Sequence, residues 1–148
     1  MTDFEVKGVD ELIKKINRHQ KRFDDDVAAV VMATAQMTAR NARDILTSGG
    51  HVKTGDLRSS IAQRDVSRKL GRSKGTARTV TPRGRKGRHK ALFTYGSGER
   101  SVKEENRNRF GINRGKMPSN PFLDRAEAIV ERQHFEALRR IAERKTEL

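Results

Sequence analysis

Four histidines, a run of three aspartates and one glycine-flanked basic hexapeptide are the residues whose types could do chemistry. His19, His51, His89 and His134 are far apart in the chain. Histidine metal motifs that can be read from a sequence place ligands at short, repeated spacings, such as two on adjacent turns of one helix, and none is present here. His134 falls within an apolar helical stripe and reads as a packed or half-exposed helix histidine. Asp24, Asp25 and Asp26 could hold a cation, but three acids at the start of a helix also suit its positive N-terminal end, and that reading is preferred. Gly71-Arg-Ser-Lys-Gly-Thr76 has the composition of a phosphate loop. It lacks the Gly-Lys-Ser/Thr step at a helix start that makes such a loop work. With no cysteine there is no thiolate nucleophile, disulfide or thiolate metal site. The sequence therefore predicts no catalytic, cofactor-binding or metal-binding residues, and a protein that is not an enzyme.

The other chemical signal is charge. The 148 residues carry 33 Lys/Arg against 19 Asp/Glu, a net +14. Ten of those cations fall in residues 68–90, which hold no acid: Arg68, Lys69, Arg72, Lys74, Arg78, Arg83, Arg85, Lys86, Arg88 and Lys90. A segment like this favours phosphate backbones or acidic protein surfaces. Three readings are open: a solvated loop, a dock for an acidic protein neighbour, or a DNA contact. No aromatic residue lies among these cations to stack on bases, and no helix-turn-helix, zinc-finger or RNA-recognition motif is present. Any nucleic-acid contact would then be to phosphates and without sequence preference. Val, Ile, Leu and Phe make up about a fifth of the chain, and there is no Trp. Such a small core implies that part of the structure depends on partners or self-association. No apolar run approaches a membrane span or signal-peptide core, so a soluble, non-exported chain with no membrane contact is expected.

The elements that must position these residues follow from periodicity. Residues 4–8 alternate apolar and polar and predict a short strand. Asp10 can cap a helix to about Arg22, with Leu12, Ile16, His19 and Phe23 on one face. A second, Ala-rich helix follows the aspartates to about Ser48 and stops at Gly49-Gly50; the spacing leaves open whether it continues the first. Thr54 can cap a short turn, Gly55 permits a tight bend and Leu57 can anchor the turn. A strand is expected near 60–66. Residues 68–76 read as a mobile loop. Residues 77–81 and 91–95 read as two strands of a hairpin with a basic tip at 82–90, and 109–112 as a further short strand. Asn120 and Pro121 open a last helix running to about Arg144, with Leu123, Ala126, Val130, His134, Ala137 and Ile141 in a stripe. The expected fold is α+β and a single domain over 1–148. Two N-terminal helices and a long C-terminal helix pack on a small antiparallel sheet, with an extended basic hairpin or loop at 68–90.

The order of these features resembles the head–tail joining, or tail-completion, proteins of long-tailed phages and prophages. Four parts carry the resemblance: Phe4-x-Val6-x-Gly8-Val9-x-x-Leu12, the helix end Ala39-Arg40-x-Ala42-Arg43, Val52-Lys-Thr-Gly-Asp-Leu-Arg-Ser-Ser-Ile61, and Asn120-Pro-Phe-Leu-Asp-Arg-Ala126. The third is similar to the family's Thr-Gly-x-Leu-Arg-x-Ser-Ile signature and the fourth to its Pro-Phe-Leu-x-x-Ala. The resemblance implies a fold and assembly role for Thr54, Gly55, Leu57, Arg58, Ser60, Ile61, Pro121, Phe122 and Leu123. It also implies a homo-oligomeric ring, a hexamer in preference to a dodecamer, at the phage neck. Such a ring would lie between the portal-side connector and the tail terminator or tube, and genomic DNA would pass through it. The subunits would assemble in the host cytoplasm. A protein acting through 68–90 as a non-specific nucleic-acid binder is the alternative.

Overall fold

A computed structural model describes residues 9–49, 55–87, 90–96 and 118–146. The predicted strands at 4–8 and 109–112, and residues Thr54 and Arg88, lie outside them. In chain order the elements are α1 (Val9–Ser48), α2 (Asp56–Ser60), β1 (Ile61–Asp65), a 3-10 turn (Ser67–Leu70), β2 (Arg78–Pro82), a second 3-10 turn (Arg85–Gly87), α3 (Lys90–Tyr95) and α4 (Phe122–Thr146).

One unbroken helix, α1, replaces the two expected at the N-terminal end. Nothing between Arg22 and Val27 breaks a helix: there is no Gly or Pro, and the aspartates merely sit in it. Asp24, Asp25 and Asp26 are therefore mid-helix, so their reading as a helix N-terminal cluster fails. The acids of the first turn are Asp10 and Glu11. Ala35, Ala39, Ala42 and Leu46 form the buried stripe of α1 at helical spacing.

The sheet is a two-stranded antiparallel pair, β1 with β2, in the register Ile61–Pro82, Gln63–Val80 and Asp65–Arg78. Both strands lie within a residue or two of their predicted places. Residues 91–95, expected as the partner of β2, instead form the helix α3. A five-residue apolar run does not fix its own period. Tertiary hydrogen bonds decide it here: the Phe93 carbonyl accepts from the Asn120 N–H at 2.7 Å, and the Thr94 carbonyl from Ser119 Oγ at 2.6 Å. The hairpin connection is consequently 66–77, not 82–90.

Helix α4 begins at Phe122, one residue past the expected Pro121, and ends at Thr146. It runs antiparallel to α1. Its first turns supply Phe122 and Ala126 to a core shared with Ala42 and Leu46, while further on His134 meets Thr34 at 2.9 Å (Nδ1 to Oγ1). Ala39, Ala42 and Ala126 are all buried in this seam, and such small side chains let helices approach closely. Leu57 and Ile61 close the core from the side of α2 and β1, with Val80, Phe93 and Leu123 at its edge. At about 1.5 Å per residue, α1 is roughly 60 Å long and α4 roughly 37 Å. The first turns of α1 therefore extend past the end of α4. There Val9, Leu12, Ile13 and Ile16 are exposed, although they share one helical face.

Candidate assembly interface

The signature turn and the start of α4 are far apart in sequence and meet in the core. Gly55 takes a left-handed conformation (φ 69°), which a glycine adopts without steric cost, and α2 starts directly after it. This turn delivers Leu57, 8% exposed, and Ile61, 2% exposed, onto Leu46 and Phe122. Ser60 is buried, and its hydroxyl donates to the Leu57 carbonyl at 2.7 Å. Its carbonyl accepts the Arg83 N–H at 3.0 Å, tying the chain after β2 back to the turn. Arg43 of α1 donates to the Ile61 carbonyl at 2.8 Å. Pro121 is half-buried and its carbonyl accepts the Arg125 N–H; Leu123 packs against the core. Arg58 alone among the described signature residues is solvent-exposed with its side chain free of the core. The signature residues are thus mainly packing residues, with Arg58 left on the surface.

The loop at 68–76, expected to be mobile, is held. Asp65, at the end of β1, accepts from the Ser67 N–H (2.9 Å), the Ser67 hydroxyl (2.5 Å) and the Gly75 N–H (3.1 Å). Ser67 Oγ in turn accepts the Ala77 N–H at 3.0 Å. The Ser67 hydroxyl and N–H, then the Gly75 N–H and the charge of Arg78, hold the Asp65 carboxyl below the usual aspartate value of 3.8 against a smaller opposing effect of desolvation. The loop also lies on α1: Ser73 Oγ donates to Asp24 at 2.7 Å, and Gly75 (φ 87°) passes so near that a Cβ there would stand 2.9 Å from Ala28 Cβ. Asp24 is thus an anchor for the loop and not a helix-end charge.

The basic residues do not form one arm. Arg68, Lys69, Arg72 and Lys74 are exposed on the hairpin connection at one end of β2. Arg83, Arg85 and Lys86 are exposed beyond its other end, roughly 16 Å away across a five-residue strand. Lys86 pairs with Asp56 at 3.6 Å between largely exposed groups, a contact worth little. Lys90 Nζ donates to Thr81 Oγ1 at 3.2 Å. Arg78 is half-buried; its guanidinium reaches Gln63 Oε1 at 3.4 Å, and its buried Nε has no partner among the described residues.

Between the hairpin and the α1–α4 seam runs a groove of about 620 Å³. Val31, Ala35, Val80 and Val130 give it an apolar floor. Arg72 and Arg78 line its hairpin bank, and Glu127 and Glu131 its α4 bank. Sequence reasoning missed it because its walls come from three separate stretches of chain. Among the described residues there is no group of three or more His, Asp or Glu placed to hold a metal, and no helix long and apolar enough to cross a membrane.

Residues 10–96, more than half the chain, match the family model described as "Bacteriophage HK97-gp10, putative tail-component". The chain belongs to the HK97-gp10-like family. This agrees with the head–tail joining resemblance read from the motifs. No curated protein and no solved structure matches the chain. HK97-gp10-like proteins are structural components of the phage tail and not an enzyme family, and a tail component is part of the virion. The match covers α1, the signature turn, the sheet and α3 but stops short of α4, so the Pro-Phe-Leu motif stands on its own likeness. In the structure that motif packs into the same core as the matched segment.

Proposed function

We propose that the chain is a ring subunit at the phage neck, joining the head connector to the tail and leaving a passage for DNA, with no catalytic turnover. The observation that carries this reading is the family match together with where its signature falls. Leu57, Ile61, Phe122 and Leu123 are used in the subunit's own core, leaving whole surfaces for neighbours. The small core, with several large apolar side chains left outside it, is what a subunit completed by neighbours would have. Six subunits are preferred over twelve. The partners are the portal-side connector or adaptor and the tail terminator or tube. Mass photometry of the chain, alone and mixed with candidate neck proteins, tests the reading. A closed oligomer of defined number supports it, and monomers under every condition overturn it.

The four exposed cations of the hairpin favour one second reading, binding of nucleic acid through phosphates. It predicts DNA affinity that falls steeply with salt and is lost when residues 68–90 are neutralised. No DNA binding at low ionic strength would remove it. A DNA conduit works best when it does not grip its cargo, which favours an acidic protein neighbour for these cations.

A further inference from the structure

Two unfilled surfaces on this chain match one another. The first is the projecting start of α1. Leu12 is 58% and Ile16 55% exposed, and Val9 and Ile13 complete their stripe. At 100° per residue, Asp10 flanks this stripe on one side and Lys15 on the other. The second is the groove between the hairpin and α4. Its floor is apolar, Leu70 at its rim is 58% exposed, and its banks carry opposite charges: Arg72 and Arg78 on one side, Glu127 and Glu131 on the other. An apolar helix stripe flanked by an acid and a base is the complement of an apolar groove with a basic and an acidic bank. Arg78, whose guanidinium makes one long hydrogen bond and whose buried Nε has no partner among the described residues, sits on that bank beside Asp65.

A helix cannot fold back along its own axis, and the start of α1 points away from the groove that the middle of α1 helps to floor. The stripe can therefore reach a groove of this kind only on another copy, not on its own chain. We propose that the first turns of α1, residues Val9–Ile16, dock in the groove of a second copy of this chain, with Asp10 towards Arg72 and Arg78 and Lys15 towards Glu127 and Glu131. The contact joins two different surfaces, so it is head-to-tail and repeats from copy to copy until the rotation closes a ring. This inference rests on the ring reading above and specifies its interface.

Two variants of the full chain test it. Leu12→Asp/Ile16→Asp disables the stripe; Leu70→Asp/Arg72→Glu disables the groove. All four side chains are exposed, so both variants should keep the wild-type circular dichroism. Each alone should weaken self-association by about a hundredfold or more, read by mass photometry and sedimentation. Mixed one to one, they should form a heterodimer and nothing larger, because one intact stripe and one intact groove remain between them. A reciprocal swap, Asp10→Lys with Arg72→Asp, should recover at least about tenfold of the affinity that either change loses alone. If the wild type forms rings and both variants do too, the interface lies elsewhere and the inference falls while the ring reading stands. Two monomeric variants that fail to complement show that stripe and groove do not meet each other and also overturn it. A wild type that stays monomeric at every concentration and with every neck protein overturns both.

Discussion

Replacing Phe122 with Ala separates a packing role for the Pro-Phe-Leu motif from a docking role. The ring is fully buried in the core with Ala42, Leu46, Leu57, Ile61 and Ala126. Truncation removes its burial energy and leaves a cavity. The walls cannot close on that cavity readily, because the Ala39–Ala42–Ala126 seam already brings the helices near contact. A cost in the upper part of the usual range for such changes, about 4 kcal/mol, is expected. A domain of this size is stable by about 5–15 kcal/mol, so the change removes a quarter or more of the total. At about 2–4 °C per kcal/mol, the melting temperature should fall by about 8–16 °C. Urea titration followed by far-UV circular dichroism reads the free energy, and a thermal scan reads the midpoint. Arg58→Ala is the control, since this signature residue is exposed and should change stability by less than about 0.5 kcal/mol. A loss below about 1 kcal/mol for Phe122→Ala, or an equal loss for Arg58→Ala, would refute the argument that the motif is spent on the core.

Leu57→Asp puts a charge into the same core and should abolish folding or assembly; a wild-type yield of intact virions would remove Leu57 as the anchor of the signature turn. Gly75→Ala combines a left-handed backbone with a 2.9 Å approach to Ala28 and should cost about 1–3 kcal/mol, with faster amide exchange across 66–77 as the local sign. Because the folded-state pKa of Asp65 is depressed, its contribution to stability is complete above the unfolded aspartate value and is lost as pH falls through the folded value. Carboxyl NMR should place its midpoint below 3.8, and Ser67→Ala should move it upwards; an unmoved midpoint would deny Ser67 its part. Thr34→Ala removes the bridge to His134 and should cost about 1 kcal/mol, without changing the helix content.

Much of the fold was legible because its signals are periodic or local. The stripe from Leu123 to Ile141 located α4 to within two residues at either end, and the bend at Gly55 follows from the freedom of glycine. The strands at 60–66 and 77–81 were placed correctly but paired wrongly, since nothing in Ala-Leu-Phe-Thr-Tyr reveals that Ser119 and Asn120 will hydrogen-bond to it. The join of the two N-terminal helices was obscured by Asp24–Asp26, whose local charge argument ignored the lack of any breaker. The clustering of ten cations within residues 68–90 suggests one arm, whereas β2 separates those of the hairpin connection from Arg83, Arg85 and Lys86 at its other end. The Asp65-x-Ser67 turn was a readable signal for an ordered loop: a carboxylate two residues before a serine commonly caps the backbone that follows. The groove was beyond reach, because it depends on how three segments pack.

Mechanically, α1 is a lever. Its fulcrum is the small-residue seam around Ala35, Ala39 and Ala42, where close packing resists sliding, and its free end overhangs α4 by roughly 20 Å. With about 45 Å from Ala39 to the tip at Val9, a tilt of about 10° at the fulcrum would move the tip by about 8 Å, more than two strand residues' rise. A change too small to disturb the core can thus shift what the tip reaches by a whole side chain. In the ring proposed above, the angle between successive subunits would then be set at the seam, by the volume of three alanines, rather than at the surfaces that touch.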